Sequence, residues 1–93
     1  MQYPLICEAI RCRSLIAFSY IGVTRLVEPY AYGINHERHE VLRAYQVSGG
    51  QTGWRLFQAN KMNHLSVLVE TFSMLRSGYK RDDTAMRRIF CQI

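Results

Sequence analysis

Between Leu15 and Phe72 the chain is built almost entirely from short runs rich in β-branched and aromatic residues. These are LIAFSY, TRLVEPYAYGI, EVLRAYQV, WRLFQA and LSVLVETF. Successive runs are separated by breaks that suit a turn or a chain reversal: Ile21-Gly22-Val23, Asn35 to Arg38, SGGQTG from Ser48 to Gly53, and Asn60 to Asn63. Runs this short and this closely spaced bury one face each by pairing with their neighbours in sequence, and the pattern predicts a small five-stranded barrel. Pro29 lacks a backbone N–H, so the second strand is expected to bend or to lie partly on an edge.

Helices are expected on both flanks, which makes the fold class α+β and mainly β. In Pro4 to Arg13 a proline suits the first turn, and Leu5, Ile6, Ala9 and Ile10 fall on one face. Near the other end Met86, Ile89, Phe90 and Ile93 recur at i, i+3, i+4 and i+7, behind Asp82 or Asp83 as N-cap. On that reading Asp83 pairs with Arg87 one turn on. The intervening RSGYKR, Arg76 to Arg81, has no periodicity and reads as a linker with Gly78 as its flexible point.

A chain of 93 residues makes one domain, 1–93, with a small core. The hydrophobic fraction of 48% is that of a globular protein rather than a disordered or fibrous one. Its 12 Lys and Arg outweigh 7 Asp and Glu, and lysine occurs only at Lys61 and Lys80. A surplus made of arginine favours an anionic partner, because the guanidinium fork grips phosphate or carboxylate with two bonds and also stacks on bases. Cys7, Cys12 and Cys91 are odd in number and contain no C-x-x-C pair, so they are expected to be free thiols in a reducing cytoplasm. No stretch reaches the length of a membrane span.

In EVLRAYQV the period of two sets Leu42 and Ala44 inward and Arg43 and Tyr45 outward. In WRLFQA, Phe57 and Ala59 are expected inside with Arg55 near the rim. The core is then Leu42, Ala44, Phe57 and Val67, covered by Ile10 of the first helix. Arg43, Tyr45, Trp54 and Arg55 form a surface that alternates aromatic and basic groups, the arrangement that holds single strands by stacking and phosphate contact. Equally, Tyr45 and Trp54 suit a cross-strand pair that fixes register, with both arginines solvated. Arg25 and Glu28 are close enough in sequence to pair with each other.

The run Arg25-Leu26-Val27-Glu28-Pro29-Tyr30, with Ala9-Ile10, Arg13 and Phe18-Ser19-Tyr20 ahead of it, resembles WYL domains, the SH3-like or Sm-like barrel modules of bacterial regulators. The family's W-Y-L triplet falls on Glu40-Val41-Leu42, which shares the leucine. A later family segment falls on Arg55 to Met62, with Arg55 and Lys61 at its basic positions. The resemblance covers most of Pro4 to Phe72. It implies a sensing module that binds single-stranded nucleic acid or a nucleotide-like anion through basic residues on the barrel, and it adds Arg25 and Lys61 to the candidate site. Such regulators carry a DNA-binding domain ahead of the barrel; this chain is expected to be a stand-alone barrel.

His36 and His39 lack a third ligand at useful spacing and read as surface residues, as does His64. Neither Cys7 nor Cys12 has the histidine and basic neighbour that a nucleophile needs. Without a P-loop, a G-x-S-x-G turn or paired carboxylates, an enzyme is not expected, and no cofactor is. The expected function is therefore a non-catalytic binding module for single-stranded nucleic acid or a nucleotide. The alternative is a protein-interaction domain, with a homodimer among its forms, using the closing helix or an open strand edge.

Overall fold

The computed structural model describes residues 3–93. Its elements are α1 (Tyr3–Cys12), β1 (Ser14–Tyr20), β2 (Val23–Asn35), β3 (Glu40–Ser48), β4 (Gly53–Gln58), a single 3-10 turn (Ala59–Lys61), β5 (Met62–Thr71) and β6 (Met86–Gln92). All six strands belong to one antiparallel sheet with the path β4-β3-β2-β1-β5, and β6 joins β2 off that path. The sheet is open: β4 and β5 stand at its two ends and do not pair. A closed five-stranded barrel with a helix at each end is therefore not what forms.

The long strand β2 organises the sheet. Along one edge it pairs with β3 from Leu26 to Ile34; along the other it pairs first with β1, up to Val27, and then with β6, from Ala31 onward. Pro29 sits at the handover between β1 and β6, beside a register shift against β3. A residue with no N–H is least costly where the ladder is already interrupted. Gly33 has a reason of the same local kind, because a Cβ there would lie 2.2 Å from the Arg88 carbonyl oxygen across the β2–β6 pair.

The expected C-terminal helix is a strand. Met86 to Ile93 satisfies helical spacing, yet it is a short run, and short apolar runs fit either period. What decides is the vacant edge of β2 beyond β1, which offers hydrogen bonds that no local preference can match. Asp83 caps no helix: its carboxylate accepts from the Ala85 N–H at 3.0 Å and its carbonyl from the Met86 N–H at 3.0 Å, forming the turn that launches β6.

Cys7 and Cys91 form a disulfide between α1 and β6, against the expectation of three free thiols; Cys12 alone is free among the described residues. The pair is 84 residues apart, a separation invisible to any rule based on local cysteine spacing. No helix among the described residues is long and apolar enough to cross a membrane.

The main core lies between α1 and the sheet. Ile6, Ala9 and Ile10 meet Ile16, Phe18, Tyr20, Val27, Tyr32, Leu42, Ala44, Phe57 and Met62. Phe57 packs edge-on against Phe18 and Tyr20, at centroid distances of 5.1 and 4.9 Å. Val67, expected in this core, is 39% exposed. It faces the same side as Ile16, its partner in β1, but β5 is the last strand of the sheet and nothing lies beyond it. Left-handed backbone at His64 and register shifts on both sides of Val67 further turn β5 away from the helix. Phe57→Ala should cost about 3–5 kcal/mol in a denaturant titration, and Val67→Ala less than about 1.5 kcal/mol, since only the former leaves a closed cavity.

Candidate functional site

The second face of the sheet, opposite α1, carries the predicted surface. Direct pairing of Tyr45 with Trp54 and of Arg43 with Leu56 puts these four side chains on it together. The same register pairs Arg55 with Ala44, which is in the helix-side core, so Arg55 lies on the other face, its guanidinium 5.7 Å from the Phe57 ring centre. Lys61 is exposed in the 3-10 turn that leads into β5. Arg25 is drawn into the β2–β3 framework, donating to Gln46 Oε1 at 3.1 Å and to the Tyr20 carbonyl at 3.3 Å. Three of the six candidates, Arg43, Tyr45 and Trp54, are thus neighbours.

That surface is not bare. Residues 72–85, between β5 and β6, contain no regular element and cross the face of β4, β3 and β2. Ordered connections of this length without their own secondary structure are uncommon and usually functional. Tyr30, fully buried in β2, anchors the segment: its hydroxyl accepts the Arg76 N–H at 2.9 Å, and its ring touches Phe72, Tyr79 and Trp54. The Trp54 indole N–H donates to the Ser77 carbonyl at 2.9 Å, and Tyr79 stacks on the indole at 6.0 Å with 25° between planes. Gly78 passes so close beneath Trp54 that a Cβ would lie 3.1 Å from Nε1, and its φ of +92° suits glycine.

Two ion pairs complete the closure. Arg76 grips Glu28 with both arms of its fork, at 3.0 and 2.9 Å, and lies 4.4 Å over the Tyr45 ring. Glu28 is buried, so its carboxylate requires this partner; Arg25, three residues earlier, does not supply it. Arg43 donates to Asp83 at 2.6 and 3.4 Å. Burial pushes the Asp83 carboxyl up, but the Arg43 hydrogen bond, the Ala85 N–H and the Arg43 charge outweigh it and hold the carboxyl below its ordinary value. Burial raises both Tyr30 and Tyr79, keeping their hydroxyls protonated.

Between the segment and the sheet lies an open cleft of about 370 Å³, lined by Arg43, Trp54 and the run Gly78 to Thr84. Asp83 is taken by Arg43, and Asp82 by Gln92, whose side-chain amide exchanges bonds of 2.9 and 3.0 Å with it. Lys80 and Arg81 make no ion pair among the described residues and leave a positive rim beside an aromatic wall. The residues missed by sequence reasoning, Arg76, Tyr79, Lys80 and Arg81, all come from the stretch read as a linker. One signal was present: Glu28 in the otherwise apolar run Val27 to Gly33 needs a cation, and Arg76 opens that stretch.

Among the described residues no three His, Cys, Asp or Glu side chains are grouped to hold a metal ion. His36 is engaged instead, its ring N–H donating to the Thr84 carbonyl at 3.1 Å. No family model matches the chain, and neither a curated protein nor a solved structure matches it.

The depressed Asp83 carboxyl links stability to acid. Because its folded value lies below the unfolded one, the contribution is complete above the ordinary aspartate range, about pH 4, and is lost as pH falls through the folded value. Asp83→Asn should lower stability by on the order of 1 kcal/mol at neutral pH and should flatten the acid limb of the stability profile below about pH 4, measured by urea unfolding across pH.

Proposed function

We propose that the protein is a non-catalytic sensing module that binds a nucleotide-like anion in the cleft between Trp54 and residues 78–84. The observation that carries this reading is the pair of uncommitted cations, Lys80 and Arg81, set beside the Trp54–Tyr79 stack. A flat ring has an aromatic wall to lie against and a phosphate has cations to reach, the two interactions by which nucleotides are held. The cleft volume of about 370 Å³ falls within the range of small-ligand sites.

Size also discriminates within the class. A continuous strand needs an open groove along which bases stack in succession, and residues 72–85 cover the face where Arg43, Tyr45 and Trp54 would otherwise offer one. A single nucleotide fits beside that cover and a strand does not, so the nucleotide is the better ligand. The likeness of the Arg25 to Tyr30 run to WYL domains supports a regulatory role for the binding. As part of the same proposal the module works in the cytoplasm, where free nucleotides are plentiful.

Trp54 is the one tryptophan in the chain, so its emission reports on the cleft without a label. Titration with adenosine and guanosine mononucleotides should change that emission saturably. Lys80→Ala with Arg81→Ala should weaken binding by about tenfold or more and reduce its salt dependence. An oligothymidylate bound more tightly than any mononucleotide would return the reading to single strands. Unchanged emission up to millimolar nucleotide would overturn both.

A further inference from the structure

The wall of the cleft is held by the residues that follow Cys91. The Tyr79 hydroxyl donates to the Ile93 carbonyl at 2.9 Å, and the Ile93 N–H donates to the Tyr30 carbonyl at 2.9 Å. Gln92 exchanges two hydrogen bonds with Asp82, taking the backbone N–H at 2.9 Å and giving its amide to the carboxylate at 3.0 Å. Tyr79 is the ring stacked on Trp54, and Asp82 adjoins the aspartate that holds Arg43. Met86 at the start of β6 holds Asp83, and the holds on Tyr79 and Asp82 from the β6 side pass through two residues next to a cysteine.

Among the described strands, β6 pairs with β2, with Tyr32 opposite Cys91 and Ala31 opposite Gln92. Beyond the packing of Met86, Ile89, Phe90 and Ile93 on the apolar clusters, it is held by the covalent bridge to Cys7 in α1, an element on the opposite face of the sheet. Both cysteines are only partly buried, at the margin of the core between α1 and the sheet. A bridge placed at the end of this strand, one and two residues from the groups that brace a cleft, is in a position to set how firmly that cleft is closed.

We propose that Cys7–Cys91 is a redox-modification site that gates the cleft, with a cellular dithiol as the reductant. One thiolate of the dithiol attacks one sulfur of the bridge and forms a mixed disulfide, releasing the other cysteine as a thiolate that takes up a proton. The second thiol of the dithiol then displaces the remaining cysteine. Two electrons and two protons pass from the dithiol to the pair, giving Cys7 and Cys91 as thiols and the reductant as its disulfide. The end of β6 loses its tether, Gln92 and Ile93 loosen from Asp82 and Tyr79, and the aromatic wall over Trp54 opens. A transient, sensing bridge is also the kind found in reducing compartments. The consequence for affinity rests on the nucleotide reading above; the coupling of the bridge to Trp54 does not.

The test uses the full chain carrying Cys12→Ser, so that exchange with the free thiol is removed. Acrylamide quenching of Trp54 without ligand, circular dichroism and nucleotide affinity are each measured before and after dithiothreitol, and again after reoxidation. Reduction should increase quenching, leave the strand signal in place, and weaken nucleotide binding by about tenfold, all reversibly. Gln92→Ala, which cuts two of the braces with the bridge intact, should move quenching in the same direction. Unchanged quenching in a reduced, folded protein overturns the gate, and so does loss of the strand signal, which would make the bridge a clamp on the whole fold. Quenching that responds to reduction while no nucleotide binds in either state upholds the gate and overturns the ligand assigned to the cleft.

Discussion

Every residue of β2 from Val27 to Gly33 is buried, and the rest of the molecule is arranged to make that possible. A strand covered on both faces needs two layers, and in a chain this small only one of them is regular. Helix α1 covers one face with Ile6, Ala9 and Ile10; residues 72–85 cover the other, through aromatic rings and two ion pairs. The apolar side is stabilised by area removed from water, which is tolerant of detail. The other side depends on particular partners, because Glu28 and Tyr30 are polar groups that must be satisfied where they are buried.

This division explains what the sequence disclosed. Local alternation located the five central strands, and the phase of EVLRAYQV and WRLFQA set Leu42, Ala44 and Phe57 inward, since a half-buried strand writes its faces into its period. Where the outcome depended on a distant partner, local pattern misled. Met86 to Ile93 has helical spacing but meets the free edge of β2; Asp83 was matched with Arg87 and meets Arg43; Cys7 meets Cys91. Arg55 was grouped with Trp54, although adjacent residues of one strand face opposite ways, and the register confirms the separation. The irregular stretch from Arg76 to Arg81 carried no period to read, yet four of its residues, Gly78 to Arg81, line the cleft.

The arginine surplus also changes meaning in three dimensions. Counted along the chain, it suggested a surface ready for phosphate. In the fold, Arg43 and Arg76 are committed to carboxylates and Arg25 to a glutamine and a backbone carbonyl. A committed guanidinium positions chain, and an anion competing for it must first displace an internal carboxylate. Around the cleft, the cations without a carboxylate partner among the described residues are fewer and sit elsewhere, at Lys80 and Arg81.

The partner that completes β2 is the last of the six strands to be made. During synthesis β1, β2 and β3 can pair as soon as they emerge, but the far half of one β2 edge and its whole second face wait for residues 72–93. Until then Tyr30 and Tyr32 have no layer over one side of their strand, and Glu28 has no countercharge. The nascent chain is thus a partial sheet with a sticky, unfinished middle, and the fold closes in one late step, once residues 72–93 have emerged, instead of accumulating strand by strand.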